Sequence, residues 1–366
     1  FQTREFIPLH EPVFKGNELK YINETIKSTF VSSVGEYVNT FEENIAGFVG
    51  VKKAVATVNG TSALHLCLHA LEVDQNCEVI TQALSFVATA NAIIYTGAAP
   101  IFLDVNLTTR GLCPDALSNF LEEFAEKREN GTYNKTTGKK IAACIPMHTF
   151  GFMTKIEEIV VIANAWNIPV IEDASEALGS SYQNRQAGSF GKLSAFSFNG
   201  NKIITAGGGG VICSDNEPIA QKIKHLSTTA KEPHPWEFYH NEVGFNYRMP
   251  NLNAALVLAQ LESFNQLLLS KKKLYKKYKD FFKDTDLLLS PPKNSTWNHW
   301  LICLQLANND ERVDFLERTN ANGVMTRPIW QLLYRLPMFK DCFRDDQTHA
   351  QFLEERIVNI PSSAKL

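Results

Sequence analysis

The sequence predicts an α/β protein with a large domain built around a mostly parallel sheet and a smaller α+β domain after it. From about residue 50 to residue 215, short uninterrupted apolar segments alternate with segments of helical spacing. Such strands between helices are typical of a parallel sheet that helices cover on both faces. After Met249 the pattern changes to a long helical stretch followed by further strands. We therefore expect a large domain over residues 1–250 and a small domain over residues 251–366.

Each element of the predicted large domain has its own signal. A helix is expected over residues 61–71, because leucines recur at helical spacing from Leu64 to Leu71. Another helix is expected after Cys113, since Pro114 suits the first helical position. Further helices are predicted at "ATANAIIY" and over residues 154–166. The predicted strands are, in order, "AVATV" (54–58), "EVIT" (78–81), "PIFLD" (100–104), "IAACIPM" (141–147), "IPVIED" (168–173), "LSAFSF" (193–198) and "GGVICS" (209–214).

Two longer stretches have patterns of their own. Residues 127–140, "KRENGTYNKTTGKK", are polar and are expected to form an exposed excursion between a helix and a strand. Residues 251–282 have one continuous helical pattern, and "HWLICLQLA" and "GVMTRPIW" supply strands of the small domain.

Composition excludes several classes of function. The net charge is −3 and no block of basic residues occurs, so the sequence gives no reason to expect nucleic acid as a partner. Residues 79–103 carry no charge, but polar residues and the turn "TGAAP" favour strand, helix and strand over a membrane span. The seven cysteines are widely spaced and contain no CxxC pair. Reduced, buried thiols in the cytoplasm are therefore expected, without a disulfide framework or a zinc site.

Lys202 stands between a strand end and a run of four glycines, in "FSFNGNKIITAGGGGV". A phosphate-binding loop of the GxxxxGK[ST] type has its glycines before the lysine and a helix after it. Here the glycines follow the lysine and lead into a strand, so that interpretation fails. A lysine at such a turn suits a covalent bond to a carbonyl cofactor, pyridoxal phosphate, although most lysines are solvated surface charges.

Three other strand ends support the same cofactor. Asp173 ends an apolar strand, where a carboxylate can hold a pyridinium nitrogen protonated; the alternative is a helix cap. Gly60, Thr61 and Ser62 lie between a strand and a helix, where backbone N–H groups suit a phosphate or form an ordinary cap. Phe86 follows another strand and offers a face for a planar ring, or it is a core residue.

With these residues assembled, the sequence resembles the DegT/DnrJ/EryC1/StrS family of pyridoxal phosphate-dependent sugar aminotransferases. The resemblance covers nearly the whole chain. Its motifs, as they stand here, are "NGTSALHL", "SFVATANAIIYTGAAPIFLDV", "PMHTFG", "IEDASEALGS", "FSFNGNKIITAGGGG", "GFNYRMPNLNAAL" and "TRPIW". "FIPLHEPVFKGNELKY" and "TTAKEPHPWEF" are similar to the LegC-like subgroup, which is linked to legionaminic acid and bacillosamine-type sugars.

The resemblance implies the fold type I of pyridoxal phosphate-dependent transferases, with a mostly parallel seven-stranded sheet, and a homodimer that shares its active sites. Lys202 would carry the cofactor and then move the proton at the substrate carbon. Asp173 would pair with the pyridinium nitrogen, and Phe86 would stack on the ring. Glu176 would lie near the phenolic oxygen. The phosphate would be held by Gly60, Thr61, Ser62 and Ser197, with Asn246 reaching the phosphate of the partner subunit.

Contacts to the substrate are expected from a further set of residues, His148, Arg248 and Tyr334. The alternative for His148 is a histidine satisfied near a strand end. The sequence departs from the family at Tyr334, where many members carry His nearby, and at "TAGGGG", where an acidic residue is common. His234 and His240 have no carboxylates in a ligand-like arrangement, so no metal is expected.

The resemblance therefore implies an aminotransferase that acts at C4 of a nucleotide-linked 4-keto-6-deoxy-hexose with L-glutamate as donor. A UDP-linked 2-acetamido-2,6-dideoxy-4-keto sugar is the favoured substrate. One alternative is a sugar-nucleotide dehydratase, whose members typically replace the lysine. Another is a binding module without catalysis, which would leave Lys202 and Asp173 unexplained. A dinucleotide-dependent oxidoreductase needs GxGxxG after the first strand, and "VNGTSAL" does not supply it.

Overall fold

The predicted strands assemble into one central sheet. A computed structural model describes residues 6–366 of the protein. Its helices are α1 (Glu18–Ser28), α2 (Glu36–Val49), α3 (Gly60–Ala70), α4 (Val87–Tyr95), α5 (Pro114–Phe124), α6 (Ile156–Ala165), α7 (Glu217–Ser227), α8 (Asn251–Glu262), α9 (Phe264–Phe281), α10 (Asn309–Ala321) and α11 (Thr348–Glu354). Its strands are β1 (Lys53–Thr57), β2 (Cys77–Gln82), β3 (Ala99–Leu103), β4 (Ala125–Arg128), β5 (Gly131–Asn134), β6 (Lys140–Ile145), β7 (Ile171–Asp173), β8 (Ser181–Tyr182), β9 (Arg185–Gln186), β10 (Leu193–Ser197), β11 (Gly210–Ser214), β12 (Ser295–Thr296), β13 (Ile302–Gln305), β14 (Arg327–Pro328) and β15 (Ile357–Ile360).

Seven strands form the central sheet in the order β1-β11-β10-β7-β6-β2-β3. β7 and β6 are joined by two parallel bridges, Cys144 with Val170 and Met147 with Asp173. All neighbouring strands run parallel except β11, which is antiparallel to β1 and to β10. The predicted fold class, a mostly parallel seven-stranded sheet, is confirmed.

Helices cover the central sheet on both faces, because successive strand residues enter two different apolar clusters. In β2, Val79 packs into the cluster that contains α3 and α7 residues, whereas its neighbour Ile80 packs into the cluster of α2, α5 and α6. The alternation of side chains along a strand produces this division. It explains why the strands of the sequence read as uninterrupted apolar segments.

Residues 127–140 are mostly exposed, as the sequence predicts, but they contain regular structure that was not predicted. β4 and β5 form an antiparallel hairpin here, and β5 pairs with β6. Asn134 is buried, and its side-chain amide donates to Oε2 of Glu78 at 2.9 Å. The Asn134 side chain enters the fold because it finds a buried hydrogen-bond partner there, which a polarity pattern does not reveal.

The long helical pattern after Met249 is divided into α8 and α9 at Ser263. Phe264 follows the break, is buried, and packs its ring 4.9 Å from that of Phe48. α8 packs against α1 and α2. β13, β15 and β14 form a separate antiparallel sheet. The predicted domain boundary at residues 250 and 251 stays a prediction.

All seven cysteines are free, and six of them are buried. Within residues 6–366, no helix combines the length and the apolar character that crossing a bilayer requires.

Lys271 of α9 has a buried amine in this fold. Its Nζ donates to the carbonyl oxygens of Trp300 and Ser362, at 3.1 and 2.5 Å. Burial lowers the pKa of Lys271 from 10.5 to about 7. Between these two values the unfolded chain keeps a proton that the folded chain has released.

This proton difference predicts how stability changes with pH. Through Lys271, the free energy of unfolding should rise with pH above 7, by up to about 1.4 kcal/mol per pH unit. Lys271→Met should remove this rise, as urea unfolding of variant and wild type between pH 7 and 9 would measure. Lys52→Met, at an exposed lysine, is the control and should keep the wild-type slope. Equal slopes for Lys271→Met and wild type would contradict the prediction.

Candidate active site

The carboxyl ends of the parallel strands meet the start of β11 at one edge of the central sheet. Gly210, the first residue of β11, pairs with Thr57 of β1 and with Ser197 of β10. A Cβ atom at Gly210 would lie 2.5 Å from the carbonyl carbon of Asn59. The last glycine of the run therefore permits a close approach of two backbones, as its position before a strand predicts.

Lys202 follows β10 at this edge, and its amine contacts a buried carboxylate. Its Nζ lies 3.2 Å from Oε1 of Glu176, and the two side chains are 13% and 2% exposed. Burial raises the pKa of Glu176, whereas the Lys202 ammonium and the Phe150 amide, which donates to Oε2, act in the opposite direction. The pair is thus largely shielded from water, where charge interactions are strong.

Two neighbouring carboxylates at the end of β7 have different surroundings. Glu172 is fully buried, and its oxygens accept from the backbone N–H groups of Gly188, Phe190 and Gly191 at 2.6–2.9 Å. Asp173 is also buried, but its Oδ2 accepts only from the Thr89 hydroxyl, at 2.7 Å, and its Oδ1 from a backbone amide. Glu172 is therefore fixed by a surrounding loop, and Asp173 belongs to the strand edge that carries Lys202.

The turn before α3 brings small residues together. A Cβ atom at Gly60 would lie 2.9 Å from Cβ of Ser197 and 3.4 Å from Oγ of Ser175, so these three residues converge. Asn59 caps α3, and its side chain accepts from the Ser62 amide at 2.8 Å. The cap uses the Ser62 amide, and Gly60 and Thr61 form the first turn of the helix. Helix N-termini of this kind attract anions.

The other predicted site residues differ in exposure and in their contacts. Phe86 precedes α4, is 50% exposed, and has its ring centre 6.2 Å from that of Trp330. Asn246 is exposed. Arg248 pairs its backbone with Thr57, and its Nε is buried without a hydrogen-bond partner among residues 6–366.

Tyr334 is 8% exposed, and its side chain contacts two other side chains. Its hydroxyl accepts from the amide of Gln351 at 3.1 Å, and the Arg344 guanidinium lies 4.7 Å from its ring centre. Among residues 6–366, no group of three or more His, Cys, Asp or Glu side chains comes together in a way that suits a metal ion.

The structure argues against the predicted substrate contact of His148. Its side chain is fully buried, and both ring nitrogens are occupied. Nε2 lies 3.1 Å from Oε2 of Glu172, and Nδ1 accepts from the Thr154 amide at 3.2 Å. His148 therefore holds Glu172 in place, which corresponds to the alternative of a satisfied histidine.

A family model for DegT/DnrJ/EryC1/StrS aminotransferases matches residues 12–366. The chain belongs to this family. Members of the family are pyridoxal phosphate-dependent sugar aminotransferases, so the predicted enzyme class and cofactor are confirmed, and the strand edge with Lys202 is the candidate active site.

Relatives within the family agree in length with this chain. EpsN of Bacillus subtilis (strain 168), whose name describes a pyridoxal phosphate-dependent aminotransferase, is 36% identical, over 98% of this chain and 92% of that protein. GDP-perosamine synthase of Escherichia coli O157:H7 is 33% identical, over 99% and 94%. The crystal structure of the aminotransferase TlmJ from Streptoalloteichus hindustanus superposes with a TM-score of 0.88 at 22% identity, over 98% and 93%. The similarity to TlmJ shows the fold alone.

Three further residues lie at this candidate site and were not predicted from the sequence. Thr89 donates to Asp173 from α4, and Ser175 converges with Gly60. The Trp300 ring lies 4.1 Å from Nζ of Lys202. Ser175 stands inside the quoted motif "IEDASEALGS", so its motif was a usable signal. Trp300 is distant in sequence from every other site residue, and nothing local marks it.

Amide substitution of the two carboxylates of β7 should lower stability to different extents. In Glu172→Gln, a side-chain NH₂ group would face backbone N–H donors, so the free energy of unfolding should fall by about 2–3 kcal/mol. Asp173→Asn is the matched control and should lose no more than about 1 kcal/mol, because a hydroxyl and one amide remain paired. Urea unfolding of both variants measures the difference, and equal losses would refute the assignment of Glu172 to structure.

Proposed function

We propose that the chain is a pyridoxal phosphate-dependent aminotransferase that converts a nucleotide-linked 4-keto-6-deoxy-hexose to its 4-amino sugar. The observation that carries the proposal is the arrangement of the Lys202 amine, the Asp173 carboxylate and the Gly60 turn at one edge of the sheet. Membership of an aminotransferase family and the name of the relative EpsN support the cofactor.

The residues of this edge fit pyridoxal phosphate in chemical type. Lys202 offers an amine to its aldehyde, Asp173 a buried carboxylate to its ring nitrogen, and Phe86 a half-exposed aromatic face to its ring. When bound, the cofactor supplies an electron sink next to the substrate carbon. We assign the phosphate to the start of α3 and its neighbours, namely Gly60, Thr61, Ser62 and Ser197, with Asn246 of the partner subunit.

Lys202 holds and moves the proton at the substrate carbon in this proposal. Its amine is 3.2 Å from Oε1 of Glu176, a distance at which a charge-assisted hydrogen bond holds the two groups together. The low exposure of both side chains limits proton exchange with water. Glu176 would also lie near the phenolic oxygen of the bound cofactor, as the family resemblance implies. The amine would therefore move the proton between the substrate carbon and C4′ of the bound cofactor, as general base and then general acid.

The substrate that we propose is UDP-2-acetamido-2,6-dideoxy-4-keto-hexose, with L-glutamate as amino donor, for glycans of the bacillosamine and legionaminic acid type. The similarity of "FIPLHEPVFKGNELKY" and "TTAKEPHPWEF" to the LegC-like subgroup supports this choice. A GDP-linked keto sugar is the second candidate, because a relative that is 33% identical is named GDP-perosamine synthase.

The proposal includes a cytoplasmic homodimer with shared active sites. Trp236, Phe238 and Tyr239 are 77%, 81% and 62% exposed on a segment that leads to Asn246. Clustered exposed aromatic side chains support a protein interface at this segment. The free, mostly buried thiols support a reducing compartment.

The function is tested with the purified protein loaded with pyridoxal phosphate. Visible absorbance should change when L-glutamate is added, and an amino sugar should form from one member of a panel of UDP-, GDP- and dTDP-linked 4-keto sugars. Lys202→Ala should lower turnover at least about 100-fold, because the proton carrier is lost. Turnover of Lys202→Ala at the wild-type rate would refute the assignment, and a deoxygenated product would favour the dehydratase.

Affinity for the cofactor tests the turn before α3. Gly60→Ala would place a methyl group 2.9 Å from Cβ of Ser197, so affinity for pyridoxal phosphate should fall about tenfold. Gly200→Ala is the matched control, because no atom lies within 4 Å of a Cβ at Gly200. Equilibrium dialysis measures both variants, and equal affinities would contradict a phosphate site at Gly60.

A further inference from the structure

Residues 297–300, "WNHW", run beside the Glu176–Lys202 pair and bond to the backbone on both sides of it. On the Glu176 side, the Trp297 indole N–H donates to the carbonyl of Phe150 at 2.9 Å, and the Phe150 amide donates to Oε2 of Glu176. The side-chain amide of Asn298 donates to the Glu176 carbonyl at 2.7 Å. This segment therefore fixes the carboxylate and the backbone of Glu176.

On the Lys202 side, Trp300 makes two contacts. Its indole N–H donates to the carbonyl of Asn201 at 2.7 Å, so it holds the backbone directly before the lysine. The Nζ of Lys202 lies 4.1 Å from the centre of its ring. Trp300 is 3% exposed, and a cation over an indole face is attracted more strongly when water is excluded.

The backbone amide and the carbonyl of Trp300 are both hydrogen-bonded to side chains. Its amide donates to Oδ1 of Asn298 at 3.0 Å, and its carbonyl accepts from the buried Nζ of Lys271 at 3.1 Å. The indole is thus a fixed surface. A lysine side chain is flexible, so a fixed surface on one side and a carboxylate on the other limit where its amine can lie.

The charged and titratable groups around this amine come from several elements. Glu176 is in direct contact, Asp173 lies near Glu176, and Lys271 lies behind Trp300. Burial lowers the pKa of His10, and the positive charges of Lys271 and Lys202 add to this. His10 is therefore neutral, and Glu176 with the Trp300 face provides the attraction for the Lys202 ammonium.

We propose that Trp300 is a positioning residue that holds the Lys202 amine beside Glu176 whenever the amine is not bonded to the cofactor. This inference rests on the proposed function, in which Lys202 is the covalent lysine. Trp300 acts through Lys202 and Asn201, so its loss should slow the covalent step and lower kcat while KM for the sugar nucleotide is kept.

The test measures covalent capture in protein freed of its cofactor. The Lys202 amine adds to the aldehyde of added pyridoxal phosphate with loss of water, and cyanoborohydride then delivers a hydride to the C=N bond. Mass spectrometry of the peptide that contains Lys202 gives the rate. Trp300→Met, which removes the ring, should capture about tenfold more slowly. Trp300→Phe, which keeps an aromatic face, should stay within about threefold of the wild type.

Trp166→Met is the matched control, because the Trp166 ring has the Nζ of Lys127, and not that of Lys202, 5.2 Å from its centre. It should capture at the wild-type rate and keep kcat. Equal capture by Trp300→Met and the wild type would overturn the inference, and so would an equal loss in Trp166→Met. If wild-type Lys202 is not captured at all, the proposed function fails instead.

A second measurement applies if Trp300→Met does not fold. Protein produced with ring-fluorinated tryptophan keeps the shape of the indole but weakens the negative charge of its face. Capture at Lys202 should slow in fluorinated wild-type protein relative to the unfluorinated form. It should not slow in fluorinated Trp300→Phe, which has no indole at this position. Slowing of equal size in both proteins would overturn the inference.

Discussion

The register of two strand pairs is the constraint on which the candidate active site depends. β10 runs parallel to β7 with Ala195 opposite Asp173, and antiparallel to β11 with Ser197 opposite Gly210. These pairings bring the end of β7, the end of β10 and the first turn of α3 to one edge. A shift of one residue would turn Asp173 to the other face of the sheet, because side chains alternate along a strand.

Buried charge at this edge is stabilised in two different ways. Glu172 is saturated by backbone N–H groups and by His148, so it fixes a loop and has no capacity left for a ligand. Glu176 accepts from the Phe150 amide and from the Lys202 amine, whose side chain keeps some exposure. A buried carboxylate surrounded by backbone donors suits a structural role, whereas one paired with a side-chain amine suits proton transfer.

Local signals predicted most of the fold and part of the site. The seven strands and the sheet type followed from uninterrupted apolar segments between helices, and the helix after Cys113 from its proline. The hairpin of β4 and β5 was missed because its polar residues are typical of a loop, and the buried partner of Asn134, Glu78, lies 56 residues away. The break at Ser263 was also missed because the helical pattern continues across it; directly after the break, Phe264 packs against Phe48.

The sequence by itself determined the fold class, the family and the positions of Lys202, Asp173 and the Gly60 turn at strand ends, because these depend on periodicity and short motifs. Only the tertiary structure decided the surroundings of each side chain. It buried His148 against Glu172, joined Glu176 to Lys202, and laid Trp300 beside the amine from nearly 100 residues away in the chain. The physical reason is that burial and pairing depend on contacts between distant segments, which no local pattern of residues encodes.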